Sequence, residues 1–188
     1  MQVETTAIPG VLLIRPDVFG DARGFFVETY HEERYCAAGI SEHFVQDNHS
    51  LSVRGTLRGL HAQLKRPQAK LVRCIRGLIW DVAVDIRLGS PSFGLWVGAE
   101  LGADTAVQFY LPEGFAHGFA VLSETAEVEY KCSDVYVPGD QLAVRWDDPE
   151  LAIRWPLQEP LLSDKDRQAP LLRTLISTDS LPRWEKVS

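Results

Sequence analysis

A chain of 188 residues, 45% hydrophobic and 24% charged, is long enough to bury a core and predicts one domain spanning residues 1–188. Its formal net charge of -7 argues against general binding to nucleic acid or to anionic membranes, but leaves room for an anionic small ligand in a local basic pocket. The three cysteines lack Cys-x-x-Cys spacing and no apolar stretch approaches the length of a membrane span, which predicts a soluble, cytoplasmic protein with free thiols.

In chain order, the first part of the sequence is predicted to form short strands and one helix. Strands are expected at 11–15 and 25–30, and a helix at about 31–38, which opens with two glutamates. Further strand candidates, most of them bounded by Gly, Pro, Asp or Ser, lie at 44–52, 56–64, 70–76, 95–101, 106–111 and 117–123. Many short strands at regular spacing are typical of a β sandwich or barrel.

Two segments alternate strictly between apolar and polar residues, the pattern of a half-buried strand. The first, 78–87, sets aliphatic residues on one face against Asp81 and Asp85 on the other. The second, 126–133, places Tyr130 on the apolar face and glutamates on the other. Both segments are therefore predicted to be strands with one face in the core.

The carboxyl-terminal part is predicted to be less regular. After a last strand candidate at 142–146, prolines interrupt the chain at 156, 160 and 170. Ser163 followed by Asp-Lys-Asp is typical of a helix start, so one or two short helices are expected after residue 163. We expect this segment to wrap over the barrel rather than to add strands to it.

Two glycine-punctuated motifs each present one histidine, His61 and His117. Metal-binding cupins, which are small jelly rolls, usually provide His-x-His and a nearby Glu from one strand pair. Here Gln63 stands at the second histidine position and no glutamate follows before Glu100. Two imidazoles alone are a poor site for zinc or non-haem iron, so the sequence predicts no bound metal.

Nine motifs occur in the same order as in one known family: FGDARGFF at 19–26, VQDNHS at 45–50, LRGLH at 57–61, KLVRC at 70–74, DVAVDIR at 81–87, SPSFG at 90–94, PEGFAHGF at 112–119, EYK at 129–131 and LSDKD at 162–166. With these motifs the chain resembles the dTDP-4-dehydrorhamnose 3,5-epimerases. The resemblance implies a mainly β, cupin jelly-roll fold and no cofactor. It also implies inversion at C3 and C5 of dTDP-4-keto-6-deoxyglucose, giving dTDP-4-keto-L-rhamnose through an enolate.

The resemblance implies four catalytic residues. His61 suits the base, and by similarity the carboxylate of Asp166 orients it. Lys70 suits stabilisation of the enolate oxygen, and Tyr130 is the proposed acid on the opposite face of the sugar. Each has a plainer interpretation: a structural histidine, a solvated strand-edge lysine, a core tyrosine with a satisfied hydroxyl, and an aspartate that only interacts with a helix dipole.

The resemblance also implies the substrate-binding residues. Arg58 and Arg23 offer guanidinium groups for the diphosphate, although residues 21–24 could equally form an ordinary hairpin turn. Within one family site, a strand from the partner subunit supplies part of the contacts, which implies a homodimer built by exchange of N-terminal strands. The remaining candidates are Phe19, Phe26 and Glu28 from that strand, Gln46 and Asn48 for polar groups, Tyr136 for stacking on thymine or as an ordinary surface aromatic, and His117 in a structural, orienting or catalytic role.

Three rival functions remain open from the sequence. An epimerase that inverts only C3 or only C5 in a secondary-metabolite pathway shares the same motifs. A metal-dependent cupin oxygenase is disfavoured by the missing ligands. A non-catalytic sugar-binding jelly roll is disfavoured because all four catalytic candidates are present together.

Overall fold

The computed structural model describes residues 1–184, which form thirteen strands and three short helices. In chain order these are β1 Gln2–Thr5, β2 Leu12–Arg15, β3 Val18–Asp21, β4 Gly24–Val27, α1 Glu32–Ala37, β5 Gln46–Val53, β6 Leu57–Gln63, β7 Lys70–Arg76, β8 Leu78–Asp85, β9 Trp96–Gly102, β10 Gln108–Leu111, β11 Phe115–Val121, β12 Thr125–Cys132, β13 Gln141–Ala143, α2 Asp164–Arg167 and α3 Leu172–Ser177. All the predicted strands form, within a few residues of the expected bounds. β1 and β3 were not predicted.

Two antiparallel sheets face each other and enclose the main core. One has six strands in the order β1-β2-β10-β7-β12-β5, and the other has five in the order β13-β6-β11-β8-β9. The core between them takes Val72 and Phe109 from the first sheet and Leu101, Phe115 and Phe119 from the second. Because inward and outward side chains alternate along each strand, both sheets contribute one apolar face to this core. This architecture confirms the predicted jelly-roll class.

β8 is buried on both faces, so the prediction of a half-buried strand at 78–87 was wrong. Val82 and Val84 face outward and are covered by the carboxyl-terminal segment. Asp81 and Asp85 point into the barrel with no exposed surface, and each has polar partners there. A buried carboxylate with partners has the same alternation pattern as a solvated one, and for this reason the pattern was misleading.

The carboxyl-terminal segment wraps over the outer face of the five-stranded sheet, as predicted. Leu151, Leu172, Leu175 and Leu181 pack against the outward residues of β8. The helix start predicted at Ser163 is confirmed, because its hydroxyl accepts a hydrogen bond from the Asp166 backbone N–H at 3.1 Å. The segment thus carries α2 to the end of the barrel near β6.

The region around α1 covers part of the outer face of the six-stranded sheet, over β2, β7 and β10. Tyr35 and Ile40 pack there with Ile14, Leu71 and Tyr110. The helix predicted at about 31–38 is confirmed. None of the helices within residues 1–184 is long and apolar enough to cross a membrane.

The hairpin of β3 and β4 forms a separate two-stranded sheet. Its turn, predicted at 21–24, is confirmed by the pairing of Asp21 with Gly24. Three aromatic side chains on this hairpin, Phe19, Phe25 and Phe26, are 65 to 69% exposed. Such a cluster of exposed aromatic surface is characteristic of an interaction site.

Candidate active site

The two motif histidines are neighbours on adjacent strands of the five-stranded sheet. In the register of β6 and β11, His61 lies opposite His117. The strands approach closely here because both carry glycine. A Cβ on Gly59, whose φ is 125°, would lie 2.5 Å from the Gly118 Cα, and a Cβ on Gly118 would lie 2.8 Å from the Arg58 carbonyl oxygen. The glycines therefore allow the approach that places the histidines side by side.

His61 is paired with Asp166, which α2 brings to the barrel. The Nε2 atom of His61 lies 2.5 Å from Oδ1 of Asp166, across 105 residues of sequence. Burial by itself would raise the pKa of Asp166, but hydrogen bonding and charge from His61, with weaker bonds from Ser163 and the Gly59 backbone, hold it below its ordinary value. Asp166 thus does more than interact with the dipole of its own helix.

His117 is paired with a different carboxylate. Its Nε2 lies 2.9 Å from both carboxylate oxygens of Asp81, which has no exposed surface. Burial raises the pKa of Asp81, and the neighbouring His117 offsets only part of that rise. The same wall of the barrel therefore carries two histidine–aspartate pairs, of which the Asp81 pair is the more deeply buried.

Lys70 lies on the facing sheet and is buried. Its strand, β7, lies between β10 and β12, so the side chain is not on a strand edge and the solvated alternative was wrong. The Nζ atom donates a hydrogen bond to Oε1 of Gln68 at 2.7 Å and lies 3.9 Å from Sγ of Cys132. Burial lowers the pKa of Lys70, and the nearby Cys132 offsets part of that effect.

Tyr130 lies beside Lys70 on the inner face of the six-stranded sheet. Its ring centroid is 6.3 Å from that of His117 and 5.8 Å from Nζ of Lys70. Burial raises the pKa of its phenol; the nearby Cys132 raises it further, and Arg58 opposes the rise. Within residues 1–184 the Tyr130 hydroxyl has no hydrogen-bond partner, which disfavours the satisfied core tyrosine.

Two adjoining cavities, of about 480 and 310 Å³, contain these groups and share His61, His117, Tyr130 and Gln141. The candidates from the sequence that line one or both cavities are His61, Lys70, Tyr130, Asp166, Gln46, Asn48, Arg58, His117 and Tyr136. Residues that lie far apart in the chain thus surround one continuous space between the two sheets.

Arg58 and the polar residues are held in place by neighbours rather than by opposite charges. Nε of Arg58 donates to the Ser52 hydroxyl at 3.0 Å, and its guanidinium makes no ion pair within the described chain. The Gln46 amide donates to Asn48 at 3.0 Å and accepts from the Tyr136 backbone N–H at 2.8 Å. Tyr136 itself is 50% exposed at the mouth of the smaller cavity.

Four predicted binding residues lie outside both cavities. Arg23 forms a salt bridge with Asp21 at 2.6 Å within the hairpin, and Glu28 pairs with Arg34 at 2.7 Å. Phe19 and Phe26 project from the same hairpin and are exposed. A single copy of the chain therefore does not bring these four residues to the cavities described above.

Sequence reasoning missed Lys165, Gln141 and Asp81, and also Gln68, which bonds Lys70 and lines the smaller cavity. Lys165 donates to Gln141 at 2.5 Å, and both line the larger cavity. Lys165 is adjacent to Asp166 in the LSDKD motif, a position that could have drawn attention to it. Asp81, the partner of His117, was assigned to a solvated face and nothing in the local pattern distinguished it.

The residues around the histidines do not form a metal shell. Gln63 turns away to the backbone, donating to the carbonyls of Arg66 and Val135 and accepting from the Val137 N–H. Between residues 1 and 184, no three His, Cys, Asp or Glu side chains come together as ligands for one ion. The side chains at hand are suited to proton transfer.

Comparison with known proteins identifies close relatives of this chain. A sequence profile of the dTDP-4-dehydrorhamnose 3,5-epimerase family matches residues 5–174. The dTDP-4-dehydrorhamnose 3,5-epimerase of Pseudomonas aeruginosa is 55% identical over 172 residues, which cover 89% of this chain and 94% of that protein. The dTDP-4-dehydrorhamnose 3-epimerase of Streptomyces niveus is 41% identical over 186 residues, which cover 98% of this chain and 90% of that protein.

A crystal structure of similar shape is also known. It is that of dTDP-6-deoxy-D-glucose-3,5-epimerase from Legionella pneumophila in complex with dTDP-4-keto-L-rhamnose. The TM-score is 0.95 and the sequence identity 49%, with 98% of this chain and 99% of that chain covered.

Proposed function

The chain belongs to the dTDP-4-dehydrorhamnose 3,5-epimerase family, and on this basis we propose that it converts dTDP-4-keto-6-deoxyglucose to dTDP-4-keto-L-rhamnose. It is an epimerase and therefore an isomerase. One observation carries the proposed mechanism: His61, held by Asp166, lies on one sheet, and Lys70 and Tyr130 lie on the other, around two adjoining cavities that share His61 and Tyr130.

The reaction begins with removal of a proton from a carbon next to the C4 carbonyl. Only C3 and C5 have hydrogens acidified by that carbonyl, so the chemistry is confined to them. His61 is the base: its Nε2–H donates to Asp166, which leaves Nδ1 free to take the proton. The pKa of Asp166 lies below its ordinary value, so the carboxylate stays ionised and stabilises the imidazolium that forms.

The negative charge that develops on O4 needs a cation nearby. Lys70 lies across the cavity from His61 and has a neutral amide as its closest hydrogen-bond partner. An ammonium group in a buried site interacts strongly with an enolate oxygen because little water screens it. Lys70 therefore supplies the stabilisation that makes the enolate accessible.

Inversion requires that the proton return from the face opposite the base. Tyr130 lies on the six-stranded sheet, whereas His61 lies on the five-stranded sheet, so the two groups approach a substrate between the sheets from different sides. The raised pKa of Tyr130 keeps its phenol protonated at neutral pH. Tyr130 can then donate its proton to the enolate carbon.

Nucleotide binding is assigned to residues around the cavity mouths. Arg58, which has no acidic partner among the described residues, provides a guanidinium for the diphosphate. Gln46 and Asn48 offer amides, and the exposed ring of Tyr136 provides a face for thymine. His117 is held by Asp81 and so orients the neighbouring groups rather than acting as a second base.

The working unit is proposed to be a homodimer in the cytoplasm. The exposed aromatic hairpin supports this, because Phe19, Arg23, Phe26 and Glu28 reach a cavity only if they enter that of a second copy. β5 ends the six-stranded sheet, and no other strand within residues 1–184 pairs with its outer edge. The free cysteines suit a reducing compartment.

Isotope exchange tests the proposed function. Incubation with dTDP-4-keto-6-deoxyglucose in D2O, followed by NMR, should place deuterium at both C3 and C5. Uptake at one carbon alone supports the second candidate, a single epimerase, which the similarity to the Streptomyces niveus 3-epimerase favours. No uptake at either carbon contradicts both candidates for this substrate and indicates a binding protein or an enzyme for another substrate.

A further inference from the structure

Lys70 is a buried cation without a carboxylate partner. The titratable side chains that share its cavity are His61, His117, Tyr130 and Tyr136, and the Cys132 thiol lies beside its Nζ. Both histidines are already paired with their own aspartates. Within residues 1–184 the Lys70 ammonium forms no ion pair, so its position depends on neutral groups.

The main neutral group is the side-chain amide of Gln68. This residue lies two positions before Lys70 and is only 7% exposed. Its Oε1 accepts from Nζ of Lys70 at 2.7 Å, and its Nε2 donates to the backbone carbonyl of Asp134 at 2.7 Å. A carbonyl can only accept, so it binds the NH2 end of the amide and directs the oxygen end at Lys70. The orientation of the amide is therefore determined by the backbone.

The backbone around Gln68 is itself held in place. Ala69, which lies between Gln68 and Lys70, donates its N–H to the Ser133 hydroxyl at 2.8 Å, and its carbonyl accepts from the Ser133 N–H at 3.1 Å. These bonds join the start of β7 to the end of β12. The backbone that carries the Gln68 side chain is thus fixed by hydrogen bonds on both sides of Ala69.

The other side of the ammonium is occupied by Cys132. Its Sγ lies 3.9 Å from Nζ of Lys70 and accepts from the Asn48 amide at 3.5 Å. An ammonium has three N–H groups, and two have neighbours here. Because Lys70 lines the smaller cavity, the third is available to a substrate oxygen.

We propose that Gln68 is a positioning residue that directs the Lys70 ammonium at the substrate oxygen, a role that rests on the function proposed for Lys70. A neutral acceptor serves this purpose better than a carboxylate, because it fixes the direction of the cation without cancelling its charge. The rate of a reaction that depends on one oriented cation is sensitive to small displacements of it.

Gln68→Met tests this directly, since methionine has a similar length but provides no oxygen acceptor. We expect kcat to fall roughly 10- to 100-fold while KM changes much less. The matched control is Gln108→Met. Gln108 is also buried, at 1% exposure, and its hydrogen bonds go to Tyr35 and Thr29 rather than to Lys70. This control should lose stability but keep its kcat.

A double-mutant cycle separates the inference from the function on which it rests. Lys70→Met should itself be slow, and adding Gln68→Met should then cost nothing more. Normal turnover by Lys70→Met removes Lys70 from its role, and the inference with it. An unchanged kcat in Gln68→Met, or an equal loss with and without Lys70, overturns the inference alone.

A second measurement does not depend on activity. Competitive acetylation followed by mass spectrometry reports the pH at which the Lys70 amine becomes reactive. Burial already lowers the pKa of Lys70, and loss of the Gln68 acceptor should lower it further, whereas Gln108→Met should leave it unchanged. The same pH profile in Gln68→Met as in the unaltered protein contradicts the inference, even if no substrate turns over.

Discussion

The two histidines that face each other across β6 and β11 are both paired with buried carboxylates but differ in the exposure of their imidazole rings. His61 keeps 29% of its side chain exposed in the cavity, while Asp166 behind it is nearly covered. His117 and Asp81 are both buried, at 8% and 0% exposure. The exposed imidazole can meet a substrate and exchange its proton, whereas the buried pair is better suited to hold a fixed geometry.

Replacement of His61 should therefore remove the proposed base. His61→Ala is expected to lower the rate of deuterium uptake from D2O by about 100-fold or more, the usual cost of a lost general base. The circular dichroism spectrum should be unchanged because the side chain lies at the cavity surface. Uptake close to that of the unaltered protein would take His61 out of the mechanism.

Asp166 also makes stability depend on pH. Its folded-state pKa is lowered, so its contribution is fully present above its unfolded value of about 3.9 and is lost as pH falls through the lower folded value. Asp166→Asn should thus be less stable by roughly 1–3 kcal/mol at neutral pH, and this deficit should shrink below about pH 4. Urea unfolding at several pH values measures this difference in unfolding free energy. A difference that grows below about pH 4 would contradict a lowered pKa for Asp166.

At the level of elements, α2 is too short to be stable alone, having only four residues. The Ser163 cap holds its first turn, and Leu161 fixes the approach to it by exchanging backbone hydrogen bonds with Gly55 and Leu57 at 2.8 and 3.0 Å. These backbone hydrogen bonds to the start of β6 hold α2 where Asp166 lies beside His61. The geometry of the proposed His61–Asp166 pair therefore depends on a loop held by backbone hydrogen bonds.

Removal of the cap should show this dependence. Ser163→Ala is expected to cost about 1 kcal/mol in unfolding free energy and to lower kcat, because the first turn of α2 loosens around Asp166. Ser177→Ala is the control: its exposed hydroxyl donates to the Thr174 carbonyl within α3, and Ser177 lines neither cavity. Equal kinetic effects of the two changes would argue that the cap does not position Asp166.

For the whole molecule, the carboxyl-terminal segment packs on the outer face of one sheet, and the α1 region covers β2, β7 and β10 on the outer face of the other. Among residues 1–184, the β3–β4 hairpin is the one element that leaves a cluster of aromatic side chains in solvent. Covering that surface with a second copy would bury apolar area and would bring Arg23 to the partner's cavity. Dimerisation and completion of the site are then one event.

Subunit complementation tests the shared site. His61→Ala and Arg23→Ala should each be nearly inactive as homodimers, whereas mixed dimers regain activity because one of their two sites combines an intact His61 with an intact Arg23 of the other chain. Co-expression with two affinity tags isolates the mixed dimer. The control pairs His61→Ala with Asp166→Asn, residues in contact within one chain, and should regain nothing. A fully active monomer in sedimentation would contradict the shared site.

The sequence alone determined the local elements and most of the cavity. The strand positions follow from residue patterns, and the helix start at Ser163 follows from its cap. The family resemblance supplied thirteen candidate site residues, of which nine line the cavities. These features depend on residues that are close in the sequence, so the sequence pattern is sufficient to predict them.

Only the tertiary structure decided how the charged groups are paired. The partner of His61 lies 105 residues away, and Asp81 differs in no local feature from a solvated carboxylate, although it is buried against His117. The burial of Lys70 between two strands and its bond to Gln68 likewise depend on strand order. The pKa values and ion pairs of titratable groups depend on burial and on the distance to other charges. Both are set only when segments remote in sequence pack together.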